Sequence, residues 1–104
     1  MSSHSKYRFS DIQKESLKTL VKALKSGHKE VRSANLNFAI NQILERDIHP
    51  NNFRPSCKKL VEQGLLMRKR IDYELYVSLT PEGFDKAIKW LNEDAEKLSA
   101  DNAE

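Results

Sequence analysis

The 104-residue sequence predicts a small α+β domain, mostly helical, in which three helices precede a two-stranded hairpin and a fourth helix follows it. Three observations carry that expectation. Apolar residues recur at helical spacing in two N-terminal segments, first Leu17, Leu20, Val21 and Leu24, then Leu36, Ala39, Ile40, Ile43 and Leu44. From Leu65 to Leu79 the pattern changes to alternation. After Thr80-Pro81 helical spacing returns, with Phe84, Ile88, Leu91, Ala95 and Leu98 at intervals of 4, 3, 4 and 3, a heptad seam.

The elements follow in order. Residues 1–10 are polar and read as a flexible segment from which Tyr7 and Phe9 can tuck against the body. The first helix spans 11–26 and stops at Ser26-Gly27. Its Lys14, Lys18, Lys22 and Lys25 form a basic stripe that reads as a solvated face. Residues 28–32 suit a brief strand or a loop around Val31. The second helix, Ser33 to Asp47, turns Asn37 and Asn41 away from its buried face, and Phe38 points off that face toward either the N-terminal segment or a subunit interface.

After the turn Ile48-His-Pro-Asn-Asn52, a third helix starts at Asn51 or Asn52, with asparagine as its cap and Pro55 in its first turn. Cys57, Leu60 and Val61 anchor it, and Gly64 ends it. In the hairpin, Met67, Leu75, Val77 and Leu79 face the core if the chain turns near Asp72. Arg68, Arg70, Glu74, Tyr76 and Ser78 then face water. No Asn-Gly or Asp-Gly pair fixes the register. Thr80 and Pro81 open the last helix, over 81–100, as cap and first residue. Trp90 lies off the heptad seam, where it can pack this helix onto its own domain, and Asp101 to Glu104 reads as a disordered acidic tail.

Composition narrows the function classes. The chain fits one core, and 32% charged residues with few aromatics suit a highly solvated protein. Its single cysteine, Cys57, has no internal disulfide partner, and no apolar run approaches a membrane span or a secretory signal, so a cytoplasmic protein is expected. His4, His28 and His49 are far apart with no other ligands at metal spacing, so neither metal nor cofactor is expected. No nucleophile and base arrangement and no phosphate-binding glycine loop marks an enzyme. The net charge of +3 is unevenly spread: residues 1–80 hold 15 Lys or Arg against 8 Asp or Glu, and residues 81–104 hold 3 against 7. A basic body with an acidic end suits a protein that meets nucleic acid on one surface.

The second and third helices, joined by a short turn, form a helix-turn-helix whose third helix is basic and whose hairpin carries three consecutive cations. Asn52, Arg54, Ser56, Lys58 and Lys59 are the candidate major-groove residues; arginine can pair with guanine, asparagine can read adenine or merely cap, and lysines neutralise phosphates. Arg68, Lys69 and Arg70 are the candidate backbone contacts, with an Arg70–Glu74 cross-strand ion pair as the plainer account of Arg70. Cys57 beside lysines invites a redox role, but its position three before Leu60 favours the core.

Leu60-Val-Glu-Gln-Gly-Leu-Leu66 and Val77-Ser-Leu-Thr-Pro-Glu-Gly83 resemble the exits from the recognition helix and from the wing in winged helix-turn-helix proteins of the bacterial MarR and PadR type. The two motifs cover about a third of the chain, and the element order extends over nearly all of it. The wing here is shorter than in MarR proper, and a separate pair of long terminal helices is lacking. The apolar seam, on a chain too small to cover it by itself, marks 81–100 as a dimerisation helix that meets its partner through Ile88, Leu91, Ala95 and Leu98; the resemblance implies a winged-helix DNA-binding domain over 11–80. It implies a homodimeric prokaryotic transcriptional regulator bound to double-stranded DNA. A protein-interaction module and a replication or plasmid-maintenance DNA binder are the rival readings.

Overall fold

Ser10 starts the fold with a capping box: its hydroxyl accepts from the Gln13 amide, and the Gln13 side chain accepts from the Ser10 amide. The structure, a computed structural model, describes residues 9–102, with side chains as far as Leu98. The expected flexible segment therefore lies outside the described residues except for Phe9 and Ser10, and so do residues 103 and 104 of the acidic tail. The order is α1 (Asp11–Lys25), β1 (Val31–Arg32), α2 (Ser33–Leu44), α3 (Pro50–Glu62), β2 (Leu66–Ile71), β3 (Glu74–Leu79) and α4 (Pro81–Asn102). The mostly helical α+β class holds. Of the two readings of residues 28–32 the strand holds: Val31 and Arg32 pair antiparallel with Val77 and Tyr76, which adds a third strand to the hairpin in the order β1-β3-β2.

One core joins the helices to the sheet: Leu17, Leu20 and Val21 of α1, Leu36 and Ile40 of α2, Phe53, Cys57 and Leu60 of α3, Leu66, Val77, and Ala87 of α4. The buried face of α2 is rotated from the expected one. Asn37 is buried and Ile43 is exposed, because the sheet and α3 cover the Asn37 side. Asn41 keeps a structural bond instead, its side-chain oxygen accepting from the Ile48 amide at 2.9 Å.

The two glycine motifs interlock. Gly64, at φ 78°, closes α3 with the Leu65 amide bonded to the Leu60 carbonyl and the Gly64 amide to Val61, a Schellman arrangement. The Thr80 hydroxyl then donates to the Gly64 carbonyl at 2.6 Å and accepts from the Gly83 amide at 3.0 Å. A Cβ on Gly83 would lie 2.0 Å from the Leu65 carbonyl oxygen, so only glycine lets α4 start this close to the exit from α3.

The first half of α4 packs on α1. Trp90 meets Phe9 edge-on at 5.1 Å between ring centres, and Lys14 and Lys86 lie over these rings. Lys18 binds Asp94 at 2.8 Å and Glu15 at 2.9 Å; burial lowers its pKa, but these bonds outweigh it and raise the value overall. The basic stripe of α1 is therefore not simply a solvated face, since Lys14 and Lys18 are enlisted in docking α4. No described helix is long and apolar enough to cross a membrane.

Candidate nucleic-acid interface

Helix α3 is capped two or three residues earlier than its asparagines suggest. His49 is the cap, its Nδ1 accepting from the Asn51 amide at 3.1 Å, and Pro50 takes the first helical position. Pro55 consequently sits in the second turn, where its ring leaves the Asn51 carbonyl without the usual amide four residues on. Asn52 is released from capping and is exposed, as are Arg54, Lys58 and Lys59. Helical geometry sets Arg54 and Lys58 on one side of this solvent face and Asn52 and Lys59 on the other. Ser56 is half-buried, with its carbonyl accepting from Gln13 Nε2 at 3.4 Å, so it lies at the edge of the face rather than on it.

The wing turns through Asp72 and Tyr73, both at positive φ, which places Ile71 opposite Glu74 and fixes every later pair. Leu66 then faces Leu79, Arg68 faces Val77 and Arg70 faces Leu75. These residues share the inner face of the sheet, while Met67, Lys69 and Tyr76 share the outer one. The expected inward Met67 is thus corrected: it is 50% exposed, and Leu66, 2% exposed, takes its place. The same parity separates Arg70 from Glu74, whose carboxylate instead binds Arg32 at 3.3 Å. Arg70 donates to the Tyr73 carbonyl at 3.4 Å, and Lys69 binds Glu30 at 3.0 Å on the outer face.

Inward parity carries Arg68 and Arg70 past the end of the packed layer, where they overhang a cleft of about 690 Å³. Its walls include Asn37 and Phe38 of α2 and Arg54 of α3, so arginines from α3 and from the hairpin line one concavity. Phe38, 66% exposed, belongs to this cleft, which neither sequence alternative anticipated. The Asn37 side-chain oxygen is buried there without a hydrogen-bond partner. Among the described residues, Arg54, Lys58, Lys59, Arg68 and Arg70 form no ion pair. Of these, Arg54, Arg68 and Arg70 line the cleft, where the Glu74 carboxylate is taken up by Arg32, and their surplus positive charge attracts polyanions.

Arg32, Asn37 and Phe38 were missed as cleft residues, and only the off-face position of Phe38 hinted at its part. Cys57 lies behind this surface, buried among the core residues. Burial pushes its thiol up to about 12, against an opposing pull from the Arg68 charge. A thiol held this firmly protonated is inert at neutral pH, which fits a packing role.

The residues expected at a dimer seam divide into two groups. Ile88 and Leu91 are half-buried against their own core, whereas Ala95 is exposed and Leu98 is 64% exposed on the protruding end of α4.

No protein-family model matches this chain, and no curated protein matches it. Solved structures do. RosR of H. salinarum aligns over 91% of this chain and 94% of its own, with a TM-score of 0.68 and 21% identity. ZitR of Lactococcus lactis gives a TM-score of 0.70 at 20% identity over 95% of this chain, which spans only 62% of the ZitR chain. A winged-helix DNA-binding protein from STIV aligns over 88% of this chain and 95% of its own, with a TM-score of 0.63 and 16% identity. At such identities the likeness speaks for the architecture, and the architecture is the winged helix.

Proposed function

We propose that the chain is a sequence-specific regulator of transcription that binds double-stranded DNA as a homodimer, in the manner of the prokaryotic MarR and PadR proteins it resembles. The observation that carries this reading is the cleft where Arg54 of α3 meets Arg68 and Arg70 of the wing with no ion pair to satisfy them. A duplex presents a phosphate wall beside a groove, and it matches a surface that joins a helix carrying Asn52, Arg54, Lys58 and Lys59 to a basic hairpin. Helix α3 would supply base contacts, with Ser56 at its edge; the wing would hold the backbone. Lys69, paired with Glu30, adds charge without a free donor cluster. The solved winged-helix DNA-binding protein of the same fold supports the reading.

Dimerisation would use Ala95 and Leu98 first, with Ile88 and Leu91 contributing whatever their own domain leaves uncovered. A twofold dimer would set two recognition helices about 34 Å apart, one helical turn of DNA. Selection of bound sequences from random duplexes tests this directly. A palindromic motif is the expected outcome; recovery of no motif, together with binding to an acidic protein, would replace DNA by a protein partner.

A further inference from the structure

The cleft between α2, α3 and the hairpin has a feature that contact with a duplex leaves unexplained. In a helix-turn-helix the first helix of the pair crosses the DNA backbone while the second enters the groove, so α2 would face phosphates. Phe38 of α2 is nevertheless 66% exposed and lines the cleft. The bases of a duplex are stacked on one another, and none of them offers this ring an open face. A free or unpaired base does.

The other walls describe an anion site beside that ring. Four arginines, Arg32, Arg54, Arg68 and Arg70, line the cleft against one carboxylate, Glu74, which Arg32 binds at 3.3 Å. Asp72, at the hairpin turn, does not line it. Helix α2 opens onto the same space: Arg32 gives it no side-chain cap, its first turn holds no acidic residue, and Ser33 and Ala34 line the cleft. The amides of a first helical turn have no partner within the helix and favour a phosphate oxygen. One turn on, Asn37 is 7% exposed, and its side-chain oxygen has no hydrogen-bond partner in the protein. Such a buried oxygen is costly, and a ligand N–H or O–H that reaches it offsets the cost. Cations, an open aromatic ring and an amide acceptor together suit an anion that carries a flat ring with hydrogen-bond donors. The cleft volume of about 690 Å³ is that of a small-ligand site.

We propose that the cleft binds a free nucleoside diphosphate, its phosphates held by Arg54, Arg68, Arg70 and the start of α2, its base stacked on Phe38. Nucleotide and duplex then compete for the same arginines, which makes the nucleotide a direct antagonist of DNA. The competition rests on the DNA-binding reading; the nucleotide site does not.

Calorimetric titration of the full chain, without DNA, compares adenosine diphosphate with pyrophosphate and with adenosine. Adenosine diphosphate should bind at least about tenfold more tightly than either fragment, because it alone engages both the arginines and the ring. Phe38→Ala should weaken it by about tenfold and leave pyrophosphate unchanged, whereas Phe38→Tyr should keep the stacking. Arg68→Ala should weaken both phosphate ligands. Phe38 and Arg68 are exposed, so circular dichroism should show folded variants. In a second titration, adenosine diphosphate should raise the apparent Kd of the selected duplex. Adenosine diphosphate that binds no better than pyrophosphate, or that is indifferent to Phe38→Ala, would overturn the nucleotide site and leave an unselective anion trap. Binding of an unpaired oligonucleotide but not of adenosine diphosphate would overturn it in favour of single strands. Nucleotide binding without effect on duplex affinity would overturn the competition alone. Nucleotide binding by a protein that takes up no duplex would overturn the DNA reading and leave the site standing.

Discussion

Replacing Gly83 by alanine sets two physical effects against each other, and the structure decides which wins. Helix propensity alone favours alanine by about 1 kcal/mol. The new Cβ, however, would lie 2.0 Å from the Leu65 carbonyl oxygen and 2.9 Å from its carbon, against an ordinary contact of about 3.5 Å. Both are backbone atoms of the turn between α3 and β2, so no side chain can swing aside. Helix α4 must withdraw by more than about 1 Å, which stretches the Thr80 hydroxyl bond to Gly64 and the Thr80 amide bond to Leu65. Overpacking of about 1–3 kcal/mol and two weakened hydrogen bonds at about 1 kcal/mol each exceed the propensity gain, for a net loss of about 3 kcal/mol. In a domain of this size that lowers the melting temperature by about 12–24 °C, measurable by circular dichroism. A Gly83→Ala protein as stable as the original, or more so, would refute the close approach of α4 to the exit from α3.

The remaining expectations concern charge, assembly and the buried thiol. Arg68→Ala with Arg70→Ala should weaken duplex binding and reduce the slope of log affinity against log salt by about 0.9 per lost phosphate contact, with the preferred motif in the major groove unchanged; a changed motif there would mean that these arginines read bases. Leu98→Asp should yield a folded monomer by sedimentation, because Leu98 is exposed and makes no part of the domain core; a dimer indifferent to it would move the interface elsewhere. Cys57 should resist thiol reagents at pH 7 until the protein unfolds. Its unfolded thiol ionises near 9.0 and its folded one at about 12, so this burial stabilises fully below pH 9 and the contribution is lost as pH rises toward 12. Cys57→Ala should remove that part of the alkaline decline, and an unaltered pH dependence would contradict the assignment.

Much of the scaffold was legible because its signals are local. Leu17, Leu20 and Val21 mark the buried side of α1 by spacing alone, and the glycines at 64 and 83 mark the two tight exits around the wing. Errors arose where an element's environment comes from distant sequence. Asn37 is buried and Ile43 is not because β3, far along the sequence, and not only the adjoining β1, packs on α2 and chooses its covered face. Met67 was turned inward because strand parity depends on which two residues make the turn, and Asp72-Tyr73 carries no glycine to announce it. His49 displaced asparagine as the cap because Pro50, at the first helical position, competes for the same start. The cations of α3 and the wing were legible as residues; their meeting in one cleft with Phe38 was not, since it requires three elements to be placed together.

The central claim is that Arg54 and Lys59 on α3 meet DNA. The most direct measurement is a titration of the selected duplex with the unmodified protein and with Arg54→Ala, Lys59→Ala, repeated over a range of salt concentrations. Both side chains are exposed, so circular dichroism should report an unchanged fold. The account predicts affinity that falls steeply with salt, a loss in the double variant of at least about tenfold, and relaxed preference at one base pair. Equal affinity and equal preference in the two proteins would contradict it.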